Sequence, residues 1–174
     1  MFTLAPNLLM GLNEEGLMEK ILVGLYAGKT SLWAAVHALN LSKRINARLY
    51  FLLVIDPAAK GTDENLMRQI EVSMKSSLES LIEEGISEGI PVDYYITYGQ
   101  YDNELVKFVK ENKITMLVVG SPTTQEGRFN DFEDLLEKIR HRIDCRIEVV
   151  HKKTVKKQKK GDDDVSPVLT DRRE

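Results

Sequence analysis

The chain has 174 residues, 43% hydrophobic and 29% charged, ordinary values for one soluble domain with a sizeable core. Its formal net charge of -3 gives no electrostatic reason to expect nucleic acid or an anionic membrane as a partner. Cys145 is its one cysteine, which excludes an intrachain disulfide, and no apolar run approaches the ~20 residues of a bilayer span. A cytoplasmic protein without membrane insertion is therefore expected.

In chain order, residues 1–18 read as an N-terminal arm. MFTLAPNLLMGLNEEG has an apolar patch but no basic residue ahead of it and acids just after it, which makes a poor signal peptide. Leu8, Leu9 and Met10 are expected to pack on the chain's own domain, docking on a partner being the other reading. The folded domain is placed at residues 19–151. Lys20 to Tyr26 is a continuous apolar run, a strand covered on both faces. Ala27-Gly28 turns the chain, and Thr30 or Ser31 is expected to cap a helix with Leu32, Val36 and Leu39 on one face. Ala47 to Ile55 is a second buried strand, ended by Asp56-Pro57.

Leu66, Ile70, Met74, Leu78, Leu81 and Ile82 follow a helical period, and Gly85 and Gly89 are expected to close that helix. Pro91 to Tyr98 alternates apolar and polar residues, as an edge strand does. After Gly99 comes a helix with Tyr101, Leu105, Phe108 and Val109 inward, then a buried strand from Ile114 to Val119. Phe132, Leu135, Leu136, Ile139 and Ile143 form the stripe of a last helix, and Cys145 to His151 is a last strand. Five strands alternating with four helices imply β-α-β units with right-handed crossovers and a parallel sheet covered on both faces. Residues 152–174 carry a lysine block followed by Asp162, Asp163 and Asp164, and are expected to be a disordered tail whose charges offset each other. Tethering to an anionic surface is the other reading.

Chemistry-bearing side chains are sparse. His37, His141 and His151 fit no metal spacing. Cys145 reads as a small buried hydrophobe, and Tyr94, Tyr95 and Tyr98 as strand packing. No local motif supports a Ser-His-Asp or paired-acid arrangement, so an enzyme is not expected and no catalytic residue is assigned. Gly24-Leu-Tyr-Ala-Gly28-Lys29-Thr30 is one residue short of a phosphate-binding loop and reads as a plain strand turn, although Lys29 and the first-turn N–H groups would attract an anion.

KILVGLYAG, LYFLLVIDP, YGQYDNELVKFVKENKITMLVVGSP and EDLLEKIRHRIDCRIEVVHK together resemble the universal stress proteins over roughly Lys20 to His151. The resemblance implies a doubly wound α/β fold, adenine nucleotide alpha hydrolase-like, with a parallel five-stranded sheet in order 3-2-1-4-5. It also implies a dimer joined along the last strand, and a crevice between the first and fourth strands where some members bind ATP. ATP-binding members carry Gly-x-x-Gly, nine residues, then Gly-Ser or Gly-Thr, because glycines let the backbone approach phosphates at a helix start. Here Gly120 and Ser121 match the beginning, Thr123 replaces the second glycine, and Glu133-Asp134 replace the closing pair. The family Asp at the end of the first strand is Tyr26. In that register two carboxylates face the triphosphate, each opposing it by about 3 kcal/mol at ~6 Å in an effective dielectric of about 20.

The sequence thus points to a dimeric signalling or interaction module with no resident cofactor and no conventional ATP site. A nucleotide- or small-metabolite-binding stress regulator is the alternative, with AMP, another nucleotide or a cation-bearing metabolite as ligand. Tyr26, Gly28, Lys29, Val54, Gly120 and Ser121 are the candidate binding residues, main-chain groups around Val54 and Gly120 being able to hold a purine. Arg146 and Glu148 on the last strand would pair across the dimer's two-fold axis.

Overall fold

A computed structural model describes residues 18–122 and 129–151 of the chain. The strands are β1 (Lys20–Leu25), β2 (Arg48–Ile55), β3 (Val92–Tyr98), β4 (Met116–Gly120) and β5 (Arg146–Val150). The helices are α1 (Lys29–Ile45), α2 (Glu64–Ser87), α3 (Tyr101–Asn112) and α4 (Phe129–Arg140). All strand pairs are parallel, in the order β3-β2-β1-β4-β5. This is the doubly wound architecture expected from the sequence.

Alternate residues of each central strand feed two separate cores. Ile21, Val23 and Leu25 pack with Ala34, Ala35, Ala38 and Leu39 of α1 and with Met74 and Leu78 of α2. Leu22 and Leu117 face the other way, toward Leu105, Val106 and Val109 of α3 and Leu136 and Ile139 of α4. The period-two alternation of strand side chains assigns one helix pair to each face. The pair after β1 and β2 therefore covers one face and the pair after β3 and β4 the other. The wrapping direction changes between β1 and β4, and that change opens a crevice at their C-terminal ends.

Several local expectations are corrected. Val36 is 38% exposed, because α1 lies against the sheet through its alanines and can approach more closely on that face. Gly85 does not end α2. It is buried within the helix, where a Cβ would stand 2.6 Å from Val92 Cγ2, so its role is close packing. The chain turns four residues later at Gly89, with φ 83°. Helix α1 starts at Lys29 with Gly28 as its N-cap and no capping side chain. The Ser31 hydroxyl instead accepts from the Tyr26 N–H at 2.9 Å. Strand β4 begins at Met116 and α4 ends at Arg140, though Ile114 and Ile143 are buried beyond those ends. The expectations for the N-terminal arm and the charged tail fall outside the described residues, apart from Met18 at the arm's end. Among the described residues no helix is long and apolar enough to cross a membrane.

Candidate crevice site at the ends of β1 and β4

The C-terminal ends of β1 and β4 carry two glycines, each pressed against a helix. A Cβ on Gly24 would lie 2.8 Å from both Leu105 methyls and from the Tyr101 hydroxyl of α3. A Cβ on Gly120 would lie 2.6 Å from the Thr30 carbonyl oxygen of α1. Gly120 is thus required by the approach of α1 to β4. The same residue type at this place need not signal a phosphate.

Two tyrosine hydroxyls close the gap between these strands. Tyr101 donates to the Gly24 carbonyl at 2.6 Å, and Tyr26 donates to the Gly120 carbonyl at 2.6 Å. Their rings meet edge to face, with centroids 5.6 Å apart and planes at 79°. Burial, and then the neighbouring Tyr26, push the Tyr101 hydroxyl well above the usual tyrosine range, so it stays a neutral donor. Gly28 sets the turn beside them with φ 138°, a region that favours glycine.

Over these tyrosines lies a cavity of about 630 Å³. Tyr26, Ala27 and Gly28 form its β1 side, and Val54, Ile55 and Asp56 its β2 side. Ala59, Lys60 and Thr62 come from the following loop, with Leu66 and Ile70 from α2. Tyr101, Pro122, Asp131, Phe132 and Leu135 complete it. Most of these walls are apolar. Asp56 accepts from the Ala58 N–H at 2.9 Å through Oδ1, which holds its loop. Among the described residues no group of three or more His, Cys, Asp or Glu is placed to hold a metal.

Of the sequence candidates, Tyr26, Gly28 and Val54 line the cavity. Gly120 sits beneath it with its carbonyl engaged by Tyr26. Ser121 is buried, its N–H donating to the Val150 carbonyl at 2.8 Å, and it joins β4 to β5 rather than the described lining. The side chain of Lys29 and residues 123–128, Thr123 included, lie outside the described residues. Glu133 and Asp134 need a correction. They are exposed, and neither is among the described residues that line the cavity. Asp131 is the acid that α4 brings to the cavity. Tyr101, Asp56 and Asp131 were not read as site residues in the sequence. Tyr101 was legible only as an inward-facing aromatic, and Asp56 only as a strand terminator.

Similarities to known proteins bear on this architecture. A curated universal stress protein of Methanocaldococcus jannaschii is 26% identical over 115 residues, covering 63% of this chain and 68% of the relative. A solved universal stress protein in complex with cAMP superposes with a TM-score of 0.59 at 17% identity, over 78% of this chain and 98% of that one. A universal stress protein from Archaeoglobus fulgidus in complex with dAMP gives a TM-score of 0.52 at 11% identity, over 76% of this chain and 97% of that one. Those structural likenesses establish the fold. The model of the Universal stress protein family matches residues 18–157, and with that span the chain belongs to the universal stress protein family.

Proposed function

We propose that the chain is a dimeric signalling or interaction module, acting in the cytoplasm, whose crevice has ceased to be a conventional ATP site. The observation that carries this reading is the Tyr26 hydroxyl bonded to the Gly120 carbonyl. It puts an aromatic side chain across the ends of β1 and β4, where the resemblance places a nucleotide. No catalytic role is assigned to any residue. The domain is placed at 19–151, flanked by the arm and the tail.

Dimerisation is assigned to the β5 edge, where the described residues show pairing to β4 alone. His37 of α1 meets Glu148 of β5 at 2.8 Å. Trp33 lies one turn earlier on the same helix face and is 42% exposed, a large aromatic beside an open strand edge. Glu148 thus has an internal partner, and Arg146 comes within 4.0 Å of Glu19, so a two-fold contact would rest on apolar and main-chain groups more than on that charge pair. Light scattering at micromolar concentration is expected to report a dimer, and Trp33→Glu to report a monomer. A wild-type monomer would contradict the assignment.

The cavity itself favours a second reading, a stress regulator that takes a nucleotide or small metabolite in the crevice. A volume of about 630 Å³ with apolar walls and a few polar groups is the form of a small-molecule site. Two structural neighbours hold nucleotides, by their descriptions cAMP and dAMP. Native mass spectrometry of the purified protein is expected to show a co-purified small molecule under this reading, and a clean spectrum counts against it.

A further inference from the structure

We propose that the open edge of β3 pairs with the β3 edge of a second copy of the chain, antiparallel about a two-fold axis at Tyr95. This is a weak contact at the opposite side of the sheet from β5, and it does not depend on the dimer assigned there.

The edge is unguarded. Among the described residues β3 pairs on one side only, with β2. The register runs unbroken from Leu49 opposite Val92 to Ile55 opposite Tyr98, so no bulge turns the edge away. Sheets blunt such an edge with lysine, proline or a bulge, and Val92–Tyr98 holds no lysine and no proline. Its one charged side chain, Asp93, accepts from Arg48 at 2.8 Å. Three large apolar side chains stay exposed, Tyr95 at 47%, Ile96 at 38% and Tyr98 at 49%.

Main-chain direction selects the register. The Gly99 N–H donates to the Ile55 carbonyl and the Pro91 carbonyl accepts from the Leu49 N–H, so odd-numbered residues turn their main chain toward β2. The N–H and C=O groups of Val92, Tyr94, Ile96 and Tyr98 therefore point to the open side. An antiparallel copy centred on Tyr95 meets all of them, Tyr94 lying opposite Ile96 and Val92 opposite Tyr98. These pairs continue the face on which Val92 and Tyr94 already pack. On the other face Tyr95 meets its own copy, beside Phe108, whose ring lies 5.6 Å away. Asp93 falls opposite Thr97, so no like charges meet directly. A shift in either direction leaves one end of the strand unpaired.

The covering helices leave room and add charge complementarity. Lys43 and Glu84 draw α2 toward α1, away from the edge, and Ile96 and Tyr98 stay exposed although they lie on the α2 face. At 3.6 residues per turn, Glu64, Arg68, Glu71 and Lys75 share the flank opposite Glu84. Burial and then the charge of Glu71 raise the Tyr94 hydroxyl, which places that flank over β3. Its signs alternate, so antiparallel copies present acid to base. The exposed parts of Tyr95, Ile96 and Tyr98 supply roughly 300 Å² of side chain per copy, below the ~800 Å² per partner of a stable complex. The contact is therefore one that forms at high concentration.

The test is disulfide trapping in the full chain, with Cys145→Ala removing the native thiol. In the proposed register the two Tyr95 Cα atoms form a non-hydrogen-bonded pair about 4.5 Å apart, within reach of a disulfide. The two Ile96 Cα atoms are offset by two residues and stand roughly 9 Å apart, beyond reach. A dimer joined along β5 puts both Tyr95 residues on its outer edges and gives no such link. Mild oxidation at about 0.5 mM is expected to turn Tyr95→Cys into a covalent dimer at least fivefold more than Ile96→Cys. Equal yields overturn the proposal. So does the absence of any link, whether another segment of the chain or an unlike protein takes the edge. Sedimentation of Trp33→Glu, free of the β5 contact, is expected to show association between about 20 μM and about 1 mM. Adding Tyr95→Lys is expected to weaken it at least tenfold while circular dichroism reports the same fold. Association undiminished by Tyr95→Lys overturns the assignment to β3, and the state of Trp33→Glu at micromolar concentration bears on β5 alone.

Discussion

The two ends of the β1–β4 pair are finished in opposite ways. At the N-terminal end the Lys20 N–H donates to Thr115 Oγ1 at 2.8 Å, the Thr115 N–H donates to the Lys20 carbonyl at 2.9 Å, and the Thr115 hydroxyl reaches Glu19 at 2.7 Å. The side-chain bonds of that network are exposed, and water can replace each of them. At the C-terminal end two tyrosine hydroxyls reach the Gly24 and Gly120 carbonyls at 2.6 Å, beneath a cavity. The difference follows from topology. The helices that continue β1 and β4 leave toward opposite faces, so a gap opens at one end of the pair only. In this chain aromatic residues line the gap, and the account expects the two ends to respond very differently to substitution.

The largest contrast comes from Gly120→Ala. The added Cβ would meet the Thr30 carbonyl at 2.6 Å, and a helix backbone cannot step aside. A loss of about 3 kcal/mol is expected, seen as a lower urea midpoint with an unchanged slope. Tyr101→Phe comes next, at about 1.5 kcal/mol, because it strips the hydrogen bond from the Gly24 carbonyl while keeping the ring.

The same tyrosine gives the comparison a pH signature. Its hydroxyl is raised well above 10.0, so the unfolded chain releases this proton at a lower pH than the folded chain does. The resulting stability is complete below pH 10 and falls as pH rises from there toward the folded value. Chemical denaturation across that range should show the gap between wild type and Tyr101→Phe narrowing. Tyr50 and Tyr94 are also raised by burial, so some alkaline dependence persists in the variant. Smallest of all is Thr115→Ala at the opposite end, expected below about 0.5 kcal/mol in the same assay. Equal costs at Thr115 and Tyr101 would erase the distinction between the two ends.

How far the sequence showed this varies along the chain. Continuous apolar runs such as Ile21 to Leu25 and Met116 to Val119 identify central strands because both faces are covered. The alternation through β3 identifies an edge. The face of α1 was harder to assign. Val36 is more hydrophobic than Ala34 or Ala38, yet the alanines are buried, since close approach favours small side chains over apolar ones. Gly85 read as a stop but is a contact, and local sequence does not distinguish the two.

At the crevice, Tyr26 was legible as a departure from the family pattern, but its hydrogen bond to a residue 94 positions away was not. The acids of α4 were assigned by motif spacing. Among the described residues of α4 it is Asp131, two positions earlier than Glu133, that lines the cavity.

The central claim is that the family architecture persists around a crevice unsuited to triphosphate. The most direct measurement is the melting temperature in 1 mM Mg-ATP. A site of about 1 μM affinity would stabilise the fold by about 4 kcal/mol at that concentration, a rise of roughly 8–16 °C for a chain of this size. The account predicts a rise of no more than about 2 °C, and a shift in the higher range would contradict it.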